Sequence, residues 1–236
     1  MTTLLTNLDI RRDEFDAHFA LAKALEDRMM LDAELGPVSL SVRHINAIKS
    51  GLIVHLYNVE EAIMSQGLQF LGDALGLADP RSWTEHSLKE WLRESVVSRI
   101  SEGNEDGRLK TIYKTSTLLL SNSALGPQSL KKPSGTWDDK VIAIFIGRMN
   151  VRFEMSDEMR RRIAATPEYG DRTPLKFLAD RRNEIAHGRR SFEEGANDLG
   201  LSEIRKLADV TLDYLALVAR AFRAHIEDGA HLVVAA

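Results

Sequence analysis

From Leu201 to Ile226 the apolar or small positions are Leu201, Ile204, Ala208, Thr211, Leu215, Val218, Phe222 and His225/Ile226. The steps between them alternate three and four residues. A heptad seam of this kind lies along one side of a helix. It therefore demands a partner helix of similar length. A second segment, from about Leu40 towards Ala74, answers that demand with the stripe Ile45, Ile48, Leu52, His55/Leu56, Val59 and Ile63. A third, from Asp9 to Leu35, places Phe15, Phe19, Ala22 and Leu25 at helical steps. Gly36-Pro37 stops it, and Ser39 or Ser41 offers a cap for the next helix.

The middle of the chain is less regular. SWTEHSLKEWLRESVVSRIS predicts a shorter amphipathic helix from Ser82, and SEGNEDGR, Ser101 to Arg108, reads as a polar loop. The Gly, Pro, Ser and Asn of LLLSNSALGPQSLKKPSGTWDD mark a connection. A helix follows from about Asp138, capped by Asp138 or Thr136. Another spans Ser156 to Ala165. Pro167 and Pro174 then bracket a turn. Thr173-Pro174 starts the helix TPLKFLADRRNEIAHG, for which Gly188 is the natural stop. No alternating strand pattern and no internal repeat is visible. The expectation is an all-α, antiparallel bundle of four or five main helices with short additional ones, forming a single domain over residues 1–236.

Composition narrows the function classes. Aromatics are only 6% of the 236 residues, which favours helix over sheet. The chain has no cysteine, so disulfides, thiolate catalysis and cysteine-ligated zinc are excluded. MTTLLTNLDIRRDEFD lacks a basic segment followed by an apolar run, so no secretory signal is expected. The richest apolar run, VIAIFIG at Val141 to Gly147, falls far short of the roughly 18 residues that span a bilayer. A soluble cytoplasmic protein with no membrane partner is the expectation. Net charge is −4, yet between Arg148 and Arg190 eleven Lys and Arg face seven Asp and Glu. A basic sector on an acidic body can hold a nucleic-acid backbone. Salt pairing along helix surfaces accounts for the same charges equally simply.

Most catalytic motifs are absent. GxxxxGK[ST], GxGxxG, GxSxG and HExxH do not occur. His18, His44, His55, His86, His225 and His231 lack metal-ligand spacing with one another, and His55 falls on an apolar face as a core or edge histidine. Glu184-Ile185-Ala186-His187 matches one half of the di-metal pattern of ferritin-like bundles. Those sites need a second such motif, and four neighbouring arginines repel a divalent cation. No metal is expected.

One motif remains. Arg182-Asn183-Glu184-Ile185-Ala186-His187-Gly188 ends a helix that precedes the long terminal one, with Arg181 before it and Arg189-Arg190 after it. It resembles the Rx4-6H signature of HEPN domains, which are helical-bundle ribonucleases. Leu56-Tyr57-Asn58 with Glu61, Ser134-Gly135 followed by Asp138, and Ser191-Phe192 after the motif are similar to the MAE_28990/MAE_18760-like branch of that family. The resemblance covers roughly Leu40 to Ile226. It implies a metal-independent endoribonuclease without cofactor. It also implies a homodimer in which two copies of the motif face each other, and a toxin or antiphage effector with an antitoxin or defence-system partner protein. In related proteins a nucleotidyltransferase modifies a tyrosine two places after the histidine; Arg189 stands there in this chain, so that control is not expected.

The chemistry has its own logic. RNA cleavage without metal uses the 2′-hydroxyl as nucleophile. It needs a base, an acid and positive charge on the phosphorane. His187 can take or give a proton near neutrality, and Arg182 offers a planar fork to phosphate oxygens. Five residues separate them, about 140° around an ideal helix, so they do not share a face, whereas Asn183 and His187 do. Two protomers across a twofold axis supply both groups twice. The expected site is Arg182 and His187, supported by Asn183, Glu184, Tyr57 and Glu61, with Arg181, Arg189 and Arg190 binding RNA. Tyr57 and Glu61, four apart on one face, either orient Arg182 or order His187, or are simply a buried tyrosine and a surface glutamate. Two other readings stay open: a catalytically inactive helical module that binds RNA or protein, and an ordinary surface helix in which Arg182 and His187 pair with Glu184 or Asp180.

Overall fold

The computed structural model describes residues 2–30, 40–100 and 104–233. Three long helices carry the core: α1 (Thr2–Met30), α2 (Val42–Gly76) and α9 (Leu201–Glu227). Between α2 and α9 lie α3 (Glu85–Leu92), a π turn at Arg93–Val97, α4 (Ser98–Ile100), α5 (Glu105–Leu120), α6 (Asp139–Arg148), α7 (Asp157–Arg162) and α8 (Pro174–Ala186). Among the described residues there is no strand, only isolated bridges at Trp83–Leu232 and Thr166–Arg172. The expected all-α bundle is what forms, and no described helix is long and apolar enough to cross a membrane.

Cross-helix contacts fix the directions. Asn7 meets Gln66, and Glu26 meets Lys49, so α1 and α2 are antiparallel. Arg12 pairs with Asp213 and Asp16 with Arg205, so α9 is antiparallel to α1 as well. The terminal seam therefore packs on α2, as its length and period require, but α2 and α9 run the same way. The buried face of α9 is also wider than a heptad seam. Leu207, Val210, Leu212, Tyr214 and Ala219 are buried beside the seam residues, because α1, α6 and α8 cover the neighbouring sides. Phe145 of α6 meets Phe222 edge-on at 5.9 Å.

Several boundaries differ from the sequence reading. α1 begins at Thr2 rather than Asp9, since buried Leu4 and Leu8 extend its stripe towards the N-terminus. Gly36-Pro37 and Ser39 lie outside the described residues; Ser41 is the N-cap of α2. The stretch read as a polar loop to Arg108 turns helical at Glu105, where the Asn104 side chain accepts from the Gly107 amide. α5 buries only Thr115, so it lacks the apolar stripe by which a helix is recognised. Its last turn takes Leu118 to Leu120 out of the predicted connection. Asp138 does cap α6, accepting from Val141 at 2.9 Å.

α8 is defined at both ends by its own residues. Thr173 caps it through the Lys176 amide, and Pro174 occupies the first turn, where no backbone donor is needed. At the other end Gly188 takes a left-handed φ of 68°. Gly188 N donates to Ile185 O and Arg189 N to Glu184 O, the paired closure of a Schellman motif. His187 is the C-cap, at φ −95° and ψ 9°.

Candidate nucleic-acid site on α2 and α8

Contacts between α8 and α2 bring Arg182 to Tyr57 and Glu61. The Arg182 guanidinium carbon lies 4.5 Å from the centre of the Tyr57 ring. Its Nη2 donates to Glu61 Oε2 at 3.4 Å, and its Nη1 donates to Asn183 Oδ1 at 3.2 Å. Tyr57 is 1% exposed, so the ring is a fixed platform. Burial pushes its phenol well above the usual tyrosine range, Glu60 and Glu61 add to that, and a backbone hydrogen bond from Trp137 works against it. Of the two roles foreseen for Tyr57 and Glu61, both side chains serve Arg182.

Asn183 and His187 share the adjacent face of α8. Asn183 Nδ2 donates to Thr136 Oγ1 at 3.0 Å, which ties the helix to the loop before α6. His187 is exposed, and among the described residues its ring makes no hydrogen bond. Arg182 and His187 are not joined to each other within the chain. The five-residue separation and the end of the helix at Ala186 keep them on different sides.

The other residues of the motif divide by task. Arg181 does not reach solvent. It is 6% exposed, stacked 5.0 Å from the Phe177 ring, and bound to both Asp198 carboxylate oxygens at 2.5 and 2.8 Å and to the Gly195 carbonyl at 2.9 Å. The expectation that it binds RNA is corrected here. Its guanidinium is committed to anchoring the loop after α8, and it holds the Asp198 carboxyl below the usual range. Glu184 likewise serves the loop, accepting from Arg190 Nε at 2.8 Å. Arg190 is half-buried and also donates to the Glu194 carbonyl, so part of its fork is engaged. Arg189 is exposed beside His187.

The sequence reading missed three contributors. Lys132 lies in the loop before α6, its ammonium 4.9 Å from the Trp137 ring centre. Burial pushes Lys132 below the usual lysine range, with Glu61 opposing and Arg182 adding to the effect, so the three charges share one neighbourhood. Glu60 is fully buried next to Glu61, and neither of its carboxyl oxygens has a hydrogen-bond partner among the described residues. Burial, then Asp138 and Asp139, push its carboxyl well above the usual range, against the pull of Lys132. A signal for Glu60 existed: Ile53, Tyr57, Glu60 and Met64 form a second helical stripe on α2, all of it buried. For Lys132 and Trp137, only the fold of an irregular segment makes them neighbours of the motif.

The histidines held one surprise. His18 and His55, separate in sequence, bring their Nδ1 atoms to 3.0 Å across α1 and α2. Among the described residues no group of three or more His, Asp or Glu is placed to hold a metal ion. Chemically, the α2–α8 surface offers one oriented guanidinium, a second cation in Lys132, and an accessible imidazole at a helix end. That set suits a phosphodiester.

No curated protein and no solved structure matches the chain. The family described as MAE_28990-like HEPN matches residues 1–230, and this span takes in α1 to α9 with Arg182, His187, Tyr57 and Glu61. The chain belongs to the MAE_28990-like HEPN family, a group of helical nuclease and RNA-binding modules.

Proposed function

We propose that the chain is a metal-independent endoribonuclease that works as a homodimer, with RNA as substrate and a role as a toxin or antiphage effector restrained by an antitoxin or defence-system partner. The observation that carries the reading is the fixed Arg182. It is stacked on a buried Tyr57 and held by Glu61 and Asn183, while His187 stands open at the end of the same helix. A guanidinium fixed before substrate arrives meets the phosphorane charge without reorganising.

The reaction balances with two imidazoles. One His187 takes the proton of the 2′-hydroxyl as O2′ bonds to phosphorus. The P–O5′ bond breaks, and the second His187 gives that oxygen a proton. The products are a 2′,3′-cyclic phosphate and a 5′-hydroxyl. One chain carries one such histidine, so its twin comes from a second protomer. Arg182 stabilises the five-coordinate phosphorus, and Arg189 meets a flanking phosphate.

The test is cleavage of RNA by purified protein in EDTA. Products ending in 2′,3′-cyclic phosphate, lost in His187→Ala and in Arg182→Ala, are the expected result. Full cleavage by His187→Ala refutes the assigned chemistry. Mixing wild-type with His187→Ala chains tests the shared site: the mixed dimer holds one His187 where the reaction needs two, so cleavage falls towards the share that wild-type dimers alone supply.

A further inference from the structure

A cavity of about 470 Å³ adjoins the Arg182 site. Ser65, Gln69 and Asp73 of α2 line it, and they continue the four-residue row that starts at Tyr57 and Glu61. Facing them are Pro127 to Leu130, Lys132 and Trp137. Lys132 and Trp137 thus belong both to the cavity and to the neighbourhood of Arg182. The opposite wall is seated directly on α2. Gln128 N donates to Gly72 O at 3.2 Å and Gly126 N to Gly76 O at 3.0 Å. A Cβ on Gly72 would lie 2.0 Å from the Gln128 carbonyl oxygen, so this close approach needs glycine. Trp91 Nε1 fixes the wall from behind through Gln128 Oε1 at 2.6 Å. The cavity is a feature of the fold, and its volume lies within the roughly 300–1,000 Å³ of small-ligand sites.

Its chemistry is graded along its length. The end nearest Arg182 carries the ammonium of Lys132. The middle is apolar, with Leu68 and Leu130 buried in its walls. The far end carries Asp73, whose carboxylate has no hydrogen-bond or ion partner among the described residues, next to the exposed Gln69. The indole N–H of Trp137 is buried and also has no partner there. A nucleotide has the same grading: phosphate, then a flat ring with apolar faces, then a polar edge. A carboxylate offers only acceptors. The guanine edge presents two adjacent donors, N1–H and the N2 amine, which one carboxylate takes together. Adenine, cytosine and uracil each place an acceptor beside their donor.

We infer that this cavity is a guanine-selective subsite for the nucleotide next to the cleaved phosphate, with Lys132 on its phosphate and Asp73 on its N1–H and N2 edge. The inference rests on the ribonuclease reading for the identity of the ligand as RNA, but it is tested without cleavage. The probes are fluorescently labelled 2′-O-methyl tetranucleotides, which lack the nucleophile, with guanine, inosine or adenine at one position. Guanine oligomers bind the wild-type protein at least about tenfold more tightly than inosine or adenine ones, the scale of one bidentate base contact. Asp73→Asn erases the difference, whereas Lys132→Met weakens all oligomers alike. Equal binding of guanine and inosine oligomers by wild type overturns the subsite even if every variant fails to fold. So does a folded Asp73→Asn that keeps the preference. Cleavage with no guanine beside the cut sinks the subsite and spares the ribonuclease; guanine-selective binding with no cleavage of ordinary RNA does the reverse.

Discussion

Arg182 lies over Tyr57, its guanidinium carbon 4.5 Å from the ring centre, and the ring itself is buried. The platform orients the cation, while the hydroxyl oxygen accepts a separate hydrogen bond from the Trp137 backbone. The two parts can be removed in turn. Tyr57→Phe keeps the ring and loses one buried hydrogen bond, at about 1 kcal/mol of stability. RNA cleavage by Tyr57→Phe stays within a few-fold of wild type. Tyr57→Leu removes the π face, whose attraction for a partly desolvated cation is roughly 0.5–2 kcal/mol. Its kcat/KM falls by up to about thirtyfold. Thermal melts and cleavage kinetics on the two variants check this; equal kcat/KM would mean that the ring does not orient Arg182.

The adjacent arginines separate stability from binding. Arg181 is buried against Asp198, Gly195 and Phe177. Arg181→Ala leaves the Gly195 carbonyl short of a donor and opens space beside Phe177, while the half-exposed Asp198 is met by water, so the cost is about 1–3 kcal/mol. Arg189 is exposed. Arg189→Ala leaves the melting transition within about 0.5 kcal/mol. It weakens RNA binding uniformly across sequences and lowers the salt dependence by about one released ion. Urea unfolding and salt-titrated binding of both variants decide the matter. An Arg181→Ala protein of wild-type stability would contradict the structural assignment.

The sequence carried the long helices plainly, since α1, α2 and α9 each carry a stripe at helical period that only helices of matching length can cover. Directions were less legible. Period and length pair α9 with α2, but the parallel sense depends on how α3 to α8 return the chain. α5 escaped because almost none of it is buried. At the site, Arg182, Tyr57 and Glu61 meet as the motif and the four-residue step suggest. Arg181 shows the limit: an arginine beside a phosphate motif has the same charge whether it faces solvent or turns inward to a loop aspartate, and only the path of the loop from Gly188 to Gly200 settles which. Lys132 and Trp137 come from a segment without periodicity, where spacing carries no information about neighbours.

Glu60 sets a pH dependence whose sign follows from its surroundings. The folded protein buries its carboxyl without a hydrogen-bond partner among the described residues, beside Asp138 and Asp139, so the neutral form is favoured well above the usual carboxylate range. In the unfolded chain the group titrates near its ordinary value of about 4.3. The folded state therefore holds a proton that the unfolded state releases above that value. The contribution of Glu60 to stability is fully present below about pH 4.3 and declines as pH rises towards the folded value, by at most about 1.4 kcal/mol per pH unit for one proton. Glu60→Gln removes this titration. The variant matches the slope of wild type below pH 4.3, loses less stability than wild type between pH 5 and 8, and so gains on it steadily as the solution becomes more alkaline. Urea midpoints at half-unit pH steps measure the difference. Parallel curves for the two proteins from pH 5 to 8 would show that Glu60 enters the folded state already charged, with Lys132 as its counter-ion.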